Sequence, residues 1–285
     1  MTLFDPGTEP GENSSADGTI RIVMLVAYDG TGLHGFSAQA GVRTVAGLMQ
    51  AALERAVGRP VRLSCAGRTD SGVHARGQMV QLDLPRALAD PVRLERAVNR
   101  QLAPKVVVLA SSEVDPGFHV RHSATARRYS YSIRAASVPD PLTARTAWWV
   151  RSPLDVRAMR AATDALLGER DFSAFCRRPP GKTGELRRRV TDISLAAGDG
   201  SLRLSITANA FCHQMVRSVV GTLVDVGRGR IRAADVTSIV GSGDRARASQ
   251  LAPARGLCLE QVYYDRPVFA GSAVDPAQFS CPCER

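Results

Sequence analysis

The order of its apolar segments constrains the fold of this 285-residue chain more than any other feature. Runs typical of strands alternate with stretches whose apolar residues recur every three or four positions, as they do in an amphipathic helix. Residues 19–140 read as strand, helix, strand, strand, helix, strand, with one additional strand, and residues 141–266 nearly repeat that order. This is the order of the ferredoxin-like split βαβ unit, so the sequence predicts an α+β fold made of two such halves.

Two halves of this kind predict one mixed, mainly antiparallel sheet with helices on one face and a central cleft. A cleft between two halves is the usual place for a site whose residues come from both. Two tails, 1–18 and 267–285, flank the predicted halves. The N-terminal tail has acidic but no basic residues among Gly, Pro and Ser, so we expect it to be disordered.

Capping residues locate several of the expected helices. Thr44 precedes a regular apolar face and is the expected N-cap of the first helix. Asp90-Pro91 starts the second helix, because proline is favoured at the first helical position. In the second half we expect one helix to open at Asp155 and another to run from Phe211 to Val226.

The chain carries a formal net charge of +10, with 37 Lys plus Arg against 27 Asp plus Glu. Such an excess favours polyanionic partners, because neutralising phosphates releases their bound counterions. Only Lys105 and Lys182 are lysines, so a compositional preference for arginine is an alternative origin of the charge. The basic stretch that holds Arg177, Arg178 and Lys182 is interpreted either as a loop that contacts RNA backbone or as solvated surface.

Membrane, secreted and metal-binding classes are disfavoured by the sequence. No stretch approaches the roughly 20 apolar residues of a spanning helix, and the N-terminus resembles no signal peptide, so we expect a cytoplasmic protein with no membrane association. The six cysteines are scattered and are expected to be reduced. Cys281 and Cys283 lack the spacing and neighbouring histidines of a zinc site, and no other metal-ligand cluster is seen.

The segment Gly67–Ala75, with the sequence GRTDSGVHA, is the candidate reaction centre. It places the carboxylate of Asp70 in a glycine-bracketed turn, with Arg68 on the same turn. Apolar runs at Val61–Ala66 and Gln78–Leu84 predict strands that hold this turn in a rigid frame. Asp-Ser-Gly is also a common turn former, because the carboxylate can accept a backbone N–H and glycine tolerates a positive φ. On spacing alone, a purely structural turn and a reaction centre both remain open.

Two glycine motifs suggest nucleotide binding, but neither meets the requirements of such a site. Gly30–Gly35 satisfies GxGxxG after a strand, but a dinucleotide site requires its glycines to open the helix that holds the pyrophosphate. Here the next helix begins nine residues after Gly35. Gly181-Lys182-Thr183 resembles the end of a P-loop, but Cys176 occupies the position of the required first glycine.

Taken together, four segments resemble the tRNA pseudouridine synthase A family and occur in the expected order. The similarity spans about residues 20 to 266 and implies the pseudouridine synthase fold. The four segments are Tyr28–Gly32 with Gly35 and Gln39, Gly67–Ala75, Ser123–Tyr129, and Ala208–Arg217 continuing to Gly221.

The resemblance implies roles for four residues. Asp70 matches the catalytic carboxylate, and Arg217 matches the arginine that pairs with it, since a guanidinium keeps a partly buried carboxylate ionised and oriented. Tyr129 matches the aromatic residue that stacks on the target base. Arg68 matches the residue that displaces or replaces the extruded nucleotide. The structural alternatives are a core tyrosine at 129 and surface arginines at 68 and 217.

The implied activity is that of an isomerase that converts uridine to pseudouridine at positions 38–40 of the tRNA anticodon arm. The reaction needs one carboxylate at the ribose, acting as a nucleophile at C1′ or as a base at C2′, and the sequence leaves both routes open. The target nucleotide must first leave the base stack. The resemblance also implies a homodimer, and the chemistry requires no cofactor or metal.

The chain departs from the family pattern at several positions. Phe36-Ser37 stands where Trp-Gln is common, and Ala38 where arginine is frequent. His122 replaces a usual Phe, and Gln214 a frequent His. These changes bear on RNA contacts and substrate range. The alternative from another class is a non-catalytic RNA-binding or RNA-folding protein that retains the same scaffold.

Overall fold

The computed structural model describes residues 18–269 except 179, 180, 182 and 199, and its contacts divide the chain into two compact units. The described residues 18–125 and 259–269 belong to one, here called the Asp70 unit. Residues 126–258 belong to the other, here called the Arg217 unit. The predicted tails fall almost entirely outside the described residues, as does Lys182.

Strands and helices in the described residues alternate along the chain. The strands are β1 (Thr19–Tyr28), β2 (Ser64–Cys65), β3 (His74–Pro85), β4 (Val106–Val114), β5 (Ala124–Ala135), β6 (Trp148–Val150), β7 (Gly168–Asp171), β8 (Arg187–Gly198), β9 (Ser201–Ala208) and β10 (Leu257–Tyr264). The α-helices are α1 (Val45–Val57), α2 (Pro91–Leu102), α3 (Val156–Thr163), α4 (Met215–Gly227) and α5 (Asp235–Ser242). Short 3-10 turns lie at Arg86–Leu88, Asp164–Leu166, Ser173–Phe175, Arg245–Arg247 and Ala254–Gly256.

In the Asp70 unit the strand order is β4-β1-β3-β10, and β2 pairs with β3. β1 is antiparallel to both of its neighbours and is buried along most of its length. The expected N-cap of α1 is confirmed, because the Thr44 side chain accepts a hydrogen bond from the Gly47 N–H at 3.1 Å. Asp90 caps α2 in the same way through the Arg93 N–H, and Pro91 is its first residue. Local capping chemistry therefore places both helices.

In the Arg217 unit the strand order is β5-β9-β8-β7, with antiparallel pairing, and β6 adds to β5 in parallel. Asp155 caps α3, as expected, by accepting from the Ala158 N–H at 3.0 Å. α4 is buried along nearly its whole length and contacts α3. A Cβ at Gly221 of α4 would lie 2.0 Å from the Gln250 carbonyl oxygen, so only glycine permits this close approach.

Three elements differ from the expectation. β2 is only two residues long, and β3 begins at His74. The strand before the Asp70 turn is therefore shorter than expected, and the strand after it is longer. β7 was not expected, because its sequence GERD has no apolar pattern. α4 begins at Met215 instead of Phe211, because Gln214 has a left-handed φ of 67° that interrupts any helix from 211.

The predicted fold class is confirmed as a mixed, mainly antiparallel sheet with helices. The residue bounds of the two ferredoxin-like halves and the cleft between them stay predictions. As for membranes, none of the helices in the described part of the chain has both the length and the apolar content to span a bilayer.

Candidate active site

Asp70 lies in the loop between β2 and β3, and the residue before it is held from two sides. The Thr69 carbonyl oxygen accepts a hydrogen bond from the Phe36 N–H at 3.1 Å. The Thr69 hydroxyl lies 2.7 Å from the Tyr28 hydroxyl in a buried contact. Both backbone and side chain of Thr69 are therefore anchored, which limits how far Asp70 can move.

The residues after Asp70 are anchored to the same neighbouring loop. The Ser71 hydroxyl and the Gly72 N–H both donate to the Leu33 carbonyl oxygen, at 3.1 and 3.2 Å. The Val73 N–H donates to the Asp70 carbonyl oxygen at 3.1 Å and closes the turn. The catalytic candidate is thus held by backbone hydrogen bonds on either side.

Two glycines allow the loop 29–36 to approach this turn closely. A Cβ at Gly35, whose φ is +86°, would lie 2.8 Å from the Thr69 carbonyl oxygen. A Cβ at Gly30 would lie 2.1 Å from the Val73 carbonyl oxygen. Real Cβ atoms do not approach backbone oxygens so closely, so both positions require glycine. The motif Tyr28–Gly35 supports the Asp70 turn, a role that sequence reasoning missed although it singled out these glycines.

Gln78 is a second supporting residue that sequence reasoning missed. Its side chain is fully buried on β3, and its amide Nε2 donates to the Gly67 carbonyl oxygen at 2.7 Å. The same nitrogen lies 3.5 Å from the Tyr28 hydroxyl. A buried amide with satisfied donors rigidifies its surroundings, so Gln78 holds the start of the turn.

Charged and titratable groups surround the turn at several points. Asp70 is half-buried, and Arg68 is exposed on the same turn. Burial raises the pKa of the Cys65 thiol to about 12, against the opposing positive charges of Arg68 and Arg121. The positive charges of two guanidinium groups therefore act on the region that precedes Asp70.

A charged cluster ties the loop 29–36 to Lys105, the residue before β4. Burial raises the pKa of Asp29, but the Thr31 N–H at 2.9 Å and the Lys105 ammonium at 2.9 Å outweigh it and lower the pKa to about 2. Nδ1 of His74 lies 3.1 Å from the Gly30 nitrogen and 3.2 Å from the Asp29 carboxylate. These contacts orient the first residues of the loop that supports the Asp70 turn.

Tyr129 lies on β5 of the Arg217 unit, opposite Ile206 of β9. Its side chain is buried, with a residue exposure of 8%, and its ring meets that of Phe211 at a centroid distance of 5.1 Å in an edge-to-face arrangement. Phe211 can reach this ring because residues 211–214 are not helical. Aromatic pairs of this geometry contribute about 0.5–1.5 kcal/mol beyond the burial of their area.

Arg217 lies in the first turn of α4 and is held by the segment after the Arg245–Arg247 turn. Its Nε donates to the Ala252 carbonyl oxygen at 2.8 Å, and the Ala252 N–H donates back to the Arg217 carbonyl oxygen at 3.1 Å. The buried Tyr131 hydroxyl donates to the Pro253 carbonyl oxygen at 2.7 Å. Burial raises the pKa of Tyr131, although the positive charges of Arg217 and Arg255 act to lower it. The backbone and Nε of Arg217 are therefore anchored.

The segment 211–214 is also joined to the residues after the Ser173–Phe175 turn. The structure pairs Cys176 with Cys212 in a disulfide with Cα atoms 5.8 Å apart, so the expectation of six reduced cysteines is wrong for this pair. Their separation of 36 residues hid this proximity from sequence reasoning. Beside the disulfide, the Arg177 N–H donates to the His213 carbonyl oxygen at 3.0 Å.

The structure therefore places two of the expected site residues in each unit. Asp70 and Arg68 share one turn of the Asp70 unit, and Tyr129 and Arg217 belong to the Arg217 unit. Within the described residues, no group of three or more His, Cys, Asp or Glu side chains is placed to hold a metal ion.

Known proteins resemble this chain over most of its length. A family model described as tRNA pseudouridine synthase matches residues 24–123 and 162–265, ranges that contain Arg68, Asp70 and Arg217 but not Tyr129. A tRNA pseudouridine synthase A from Methylobacterium nodulans is 43% identical over 246 residues, which cover 86% of this chain and 96% of that protein. The protein of the same name from Frankia casuarinae is 43% identical over 254 residues, covering 87% and 90%.

A third relative, from Acetivibrio thermocellus, has the same name and is 38% identical over 244 residues, covering 85% of this chain and 99% of that protein. The family model matches more than half of the chain, and these relatives align along nearly their whole length. This chain therefore belongs to the tRNA pseudouridine synthase family.

Proposed function

We propose that this protein is an isomerase that converts uridine to pseudouridine in tRNA, with Asp70 as its catalytic carboxylate. The observation that carries the proposal is the Asp70 turn itself. It presents one half-buried carboxylate from a loop whose backbone is anchored on both sides, in a chain of this family. A rigidly held acidic group is what a reaction at a single ribose carbon requires.

The chemistry conserves all atoms of the nucleotide except for an exchange of protons. The bond between uracil N1 and ribose C1′ breaks, the base turns, and a bond forms between C5 and C1′. The proton at C5 then leaves to solvent, and N1 gains a proton. Asp70 assists either by bonding to C1′ as a nucleophile or by removing the C2′ proton as a base.

The remaining site residues take the roles that their chemistry allows. Arg217 keeps the Asp70 carboxylate ionised and oriented through its terminal guanidinium nitrogens. Tyr129, with Phe211 beside it, supplies the aromatic surface for the extruded base, and Arg68 takes part in displacing the nucleotide from the stack. The two ferredoxin-like halves predicted at 19–140 and 141–266 would each contribute part of this site.

The proposal extends to the substrate position, the assembly and the location. We propose positions 38–40 of the anticodon arm as the target, a homodimer as the assembly and the cytoplasm as the location. A net charge of +10 suits a folded RNA that is bound mainly through its backbone and shape.

Release of tritium from tRNA labelled at uracil C5 tests the activity, because the new bond at C5 must expel that hydrogen. We expect the wild-type protein to release the label and Asp70→Asn to bind tRNA with unchanged affinity but to release at least about 10³-fold less. Asp83→Asn is the matched control, since Asp83 is an exposed carboxylate of the same unit that pairs with Arg21 at 2.8 Å. Undiminished release by Asp70→Asn would refute the role of Asp70.

The alternative, a non-catalytic RNA-binding protein on the same scaffold, makes a different prediction. It requires that the wild-type protein bind tRNA tightly and release no label at any uridine. Release that depends on Asp70 but not on Asp83 excludes this alternative. Labelling of single uridines at 38, 39 and 40 in turn then tests the proposed positions.

Deuterium at ribose C2′ separates the two routes left open for Asp70. If Asp70 removes the C2′ proton, the isomerisation slows by a primary isotope effect. If it bonds to C1′, the C2′ bond stays intact and the rate changes little. The comparison uses single-turnover conditions, so that product release does not mask the chemical step.

A further inference from the structure

A basic cavity at the start of α4 is not used by the proposed chemistry. Its volume is about 350 Å³, and it is bordered by the Ser173–Phe175 turn, by Gln214 before α4 and by residues 243–245 after α5. Its lining includes three basic residues, Arg177, Arg178 and Arg245, and one acidic residue, Asp244. The cavity wall therefore carries more positive than negative charge.

Two of the three arginine side chains are oriented by contacts within the unit. Arg178 donates through Nη2 to the Ser173 hydroxyl. Arg245 donates through Nη1 to the Ala248 and Ser249 carbonyl oxygens, each at 3.2 Å. A guanidinium carries five N–H donors, and each of these groups uses one nitrogen for its anchor. Oriented guanidinium groups of this kind suit a tetrahedral phosphate, which accepts paired N–H donors.

The neighbouring carboxylates are engaged in building the wall. Asp171 accepts from the Ser173 N–H at 3.0 Å and from the Leu186 N–H at 2.8 Å, and it also accepts from the Ser173 hydroxyl. Asp244 accepts from the Ala246 N–H at 2.9 Å and caps the Arg245–Arg247 turn. These acidic groups hold the segments that carry the arginines, so the cavity is a built feature with a positive face.

The cavity is close in sequence to Phe211, whose ring contacts the proposed base-stacking residue Tyr129. Gln214 is in its lining and lies three positions after Phe211, a span of at most about 11 Å. The Arg177 N–H bond to the His213 carbonyl oxygen holds Arg177 beside the same segment. A nucleotide stacked near Phe211 would therefore have its backbone within reach of these arginines.

We infer that this cavity, lined by Arg177, Arg178 and Arg245, binds a phosphate group of the tRNA backbone next to the target nucleotide. The inference rests on the proposed function, because it takes tRNA as the ligand, and it adds a binding site that the chemistry at Asp70 does not require. Its role is to position the RNA strand. Its loss should raise KM without changing kcat, as expected for a contact made equally before and during the reaction.

Salt dependence of tRNA binding tests the inference. Each phosphate contact contributes about 0.7–0.9 to the slope of log K against log salt concentration. We expect the double variant Arg177→Gln/Arg245→Gln to reduce the magnitude of this slope by about 1 and to weaken binding about 5- to 10-fold. Binding is measured by fluorescence anisotropy with unmodified tRNA between about 50 and 200 mM KCl.

The matched control removes two arginines from the other end of α4. Arg151→Gln/Arg230→Gln alters a second basic cavity, which adjoins the C-terminal end of that helix. The helix has 13 residues and is therefore about 20 Å long, so the two cavities are well separated. Equal losses of slope and affinity in both double variants would overturn the inference, because they would reflect only the net charge of the protein.

Phosphate ethylation of the tRNA locates the contact. In wild-type protein, ethylation of the phosphate that occupies the cavity should weaken binding; in Arg177→Gln/Arg245→Gln the same ethylation should have no further effect. If ethylation of that phosphate weakened binding equally in wild-type protein and in the double variant, the inference would be overturned. Arg178→Lys adds a variant that keeps the charge but loses the paired donors, and thermal unfolding verifies that each variant is folded.

Tritium release keeps this test separate from the proposed function. If the double variant changes the slope while wild-type protein releases no label, the phosphate cavity stands and the isomerase proposal fails. If wild-type protein releases label and the variant leaves slope, KM and ethylation pattern unchanged, the isomerase proposal stands and the cavity assignment fails.

Discussion

The Asp70 turn and the segment 211–217 carry the two halves of the candidate chemistry, but they are held in different ways. The turn is held by its backbone: Thr69, Gly72 and Val73 each make a main-chain hydrogen bond, and Gly30 and Gly35 permit contact with the adjoining loop. These contacts do not depend on long side chains. A carboxylate placed in this way has little freedom to shift.

The segment 211–217 also makes main-chain hydrogen bonds, at His213 and Arg217, but side-chain contacts and a single cross-link add to them. Phe211 meets the Tyr129 ring, Arg217 donates to the Ala252 carbonyl oxygen, and Cys212 is joined to Cys176. Gln214 is the one non-glycine residue with positive φ in the described part of the chain. Side-chain contacts can adapt to a ligand at lower cost than a backbone network, so this region suits the recognition of a flexible nucleotide.

Among variants that alter the support of the site, the largest expected effect is at the backbone of the Asp70 turn. Gly35→Ala should lower tritium release by about 10²-fold, because its Cβ would press on the Thr69 carbonyl oxygen and displace Asp70 by a fraction of an ångström or more. Positive φ at this position adds strain of about 1–2 kcal/mol. The measurement pairs kcat/KM with the free energy of unfolding in urea.

Gly32→Ala is the control for strain alone. Its φ is +72° and its Cβ would meet no atom within 4 Å, so it shares the backbone penalty without the clash. We expect a similar loss of stability and a change in activity of no more than a few-fold. If both variants lost activity equally, close contact with Thr69 would not be what holds Asp70.

Gln78→Leu tests the buried amide that holds the start of the turn. It leaves the Gly67 carbonyl oxygen without its 2.7 Å donor and should destabilise the protein by about 1–3 kcal/mol. Gln81→Leu is matched in residue type, strand and burial, but it breaks a contact with the Val120 N–H instead. Both should be destabilised in urea, and Gln78→Leu alone should lower kcat, by about 10-fold. Equal kcat values in Gln78→Leu and Gln81→Leu would show that the Gln78 amide does not affect catalysis.

Phe211→Leu tests the side-chain part of the comparison, with a smaller effect. Loss of the edge-to-face contact with Tyr129 should cost about 0.5–1.5 kcal/mol and raise KM for tRNA a few-fold. Phe118→Leu removes a comparable contact, with Tyr264 at 5.0 Å, and should change stability but not KM. Identical KM values in both variants would show that the Tyr129–Phe211 pair only packs the unit.

The parts of the fold that follow from local chemistry could be predicted from the sequence. Thr44, Asp90 and Asp155 cap the helices expected of them. Each of these features depends on residues within a few positions. The polar strand β7 was missed because it is recruited by pairing with β8 and not by its own pattern.

The support of the candidate site could not be predicted, because it depends on contacts between distant residues. Tyr28 and Thr69 are 41 positions apart. The spacing of apolar residues along the sequence therefore gives no sign that their hydroxyl groups are in contact. The close approach of Gly30 to Val73 is of the same kind. The glycines were visible in the sequence, but only the folded structure shows what they approach. Asp70 itself was identified through family resemblance, and its role stays a prediction.

The smallest expected effect concerns the charged anchor of the supporting loop. The pKa of Asp29, about 2, is below the ordinary value of 3.8, because the hydrogen bond from Thr31 and the Lys105 ammonium outweigh the effect of burial. A carboxyl group whose pKa is lower in the folded state stabilises the protein above its unfolded pKa. That contribution is lost as the pH falls through about 4 towards 2.

Asp29→Asn should therefore flatten the dependence of stability on pH in that range. Since the Asp29 side chain is 43% exposed, solvent screening limits the difference from wild type to at most about 1 kcal/mol. Urea unfolding at pH 5, 4, 3 and 2.5 measures it: the wild type should lose more stability than Asp29→Asn between the first and last of these. Parallel curves would mean that the Lys105 contact adds nothing, and the loop that supports Asp70 would then be held by its glycine contacts and backbone hydrogen bonds alone.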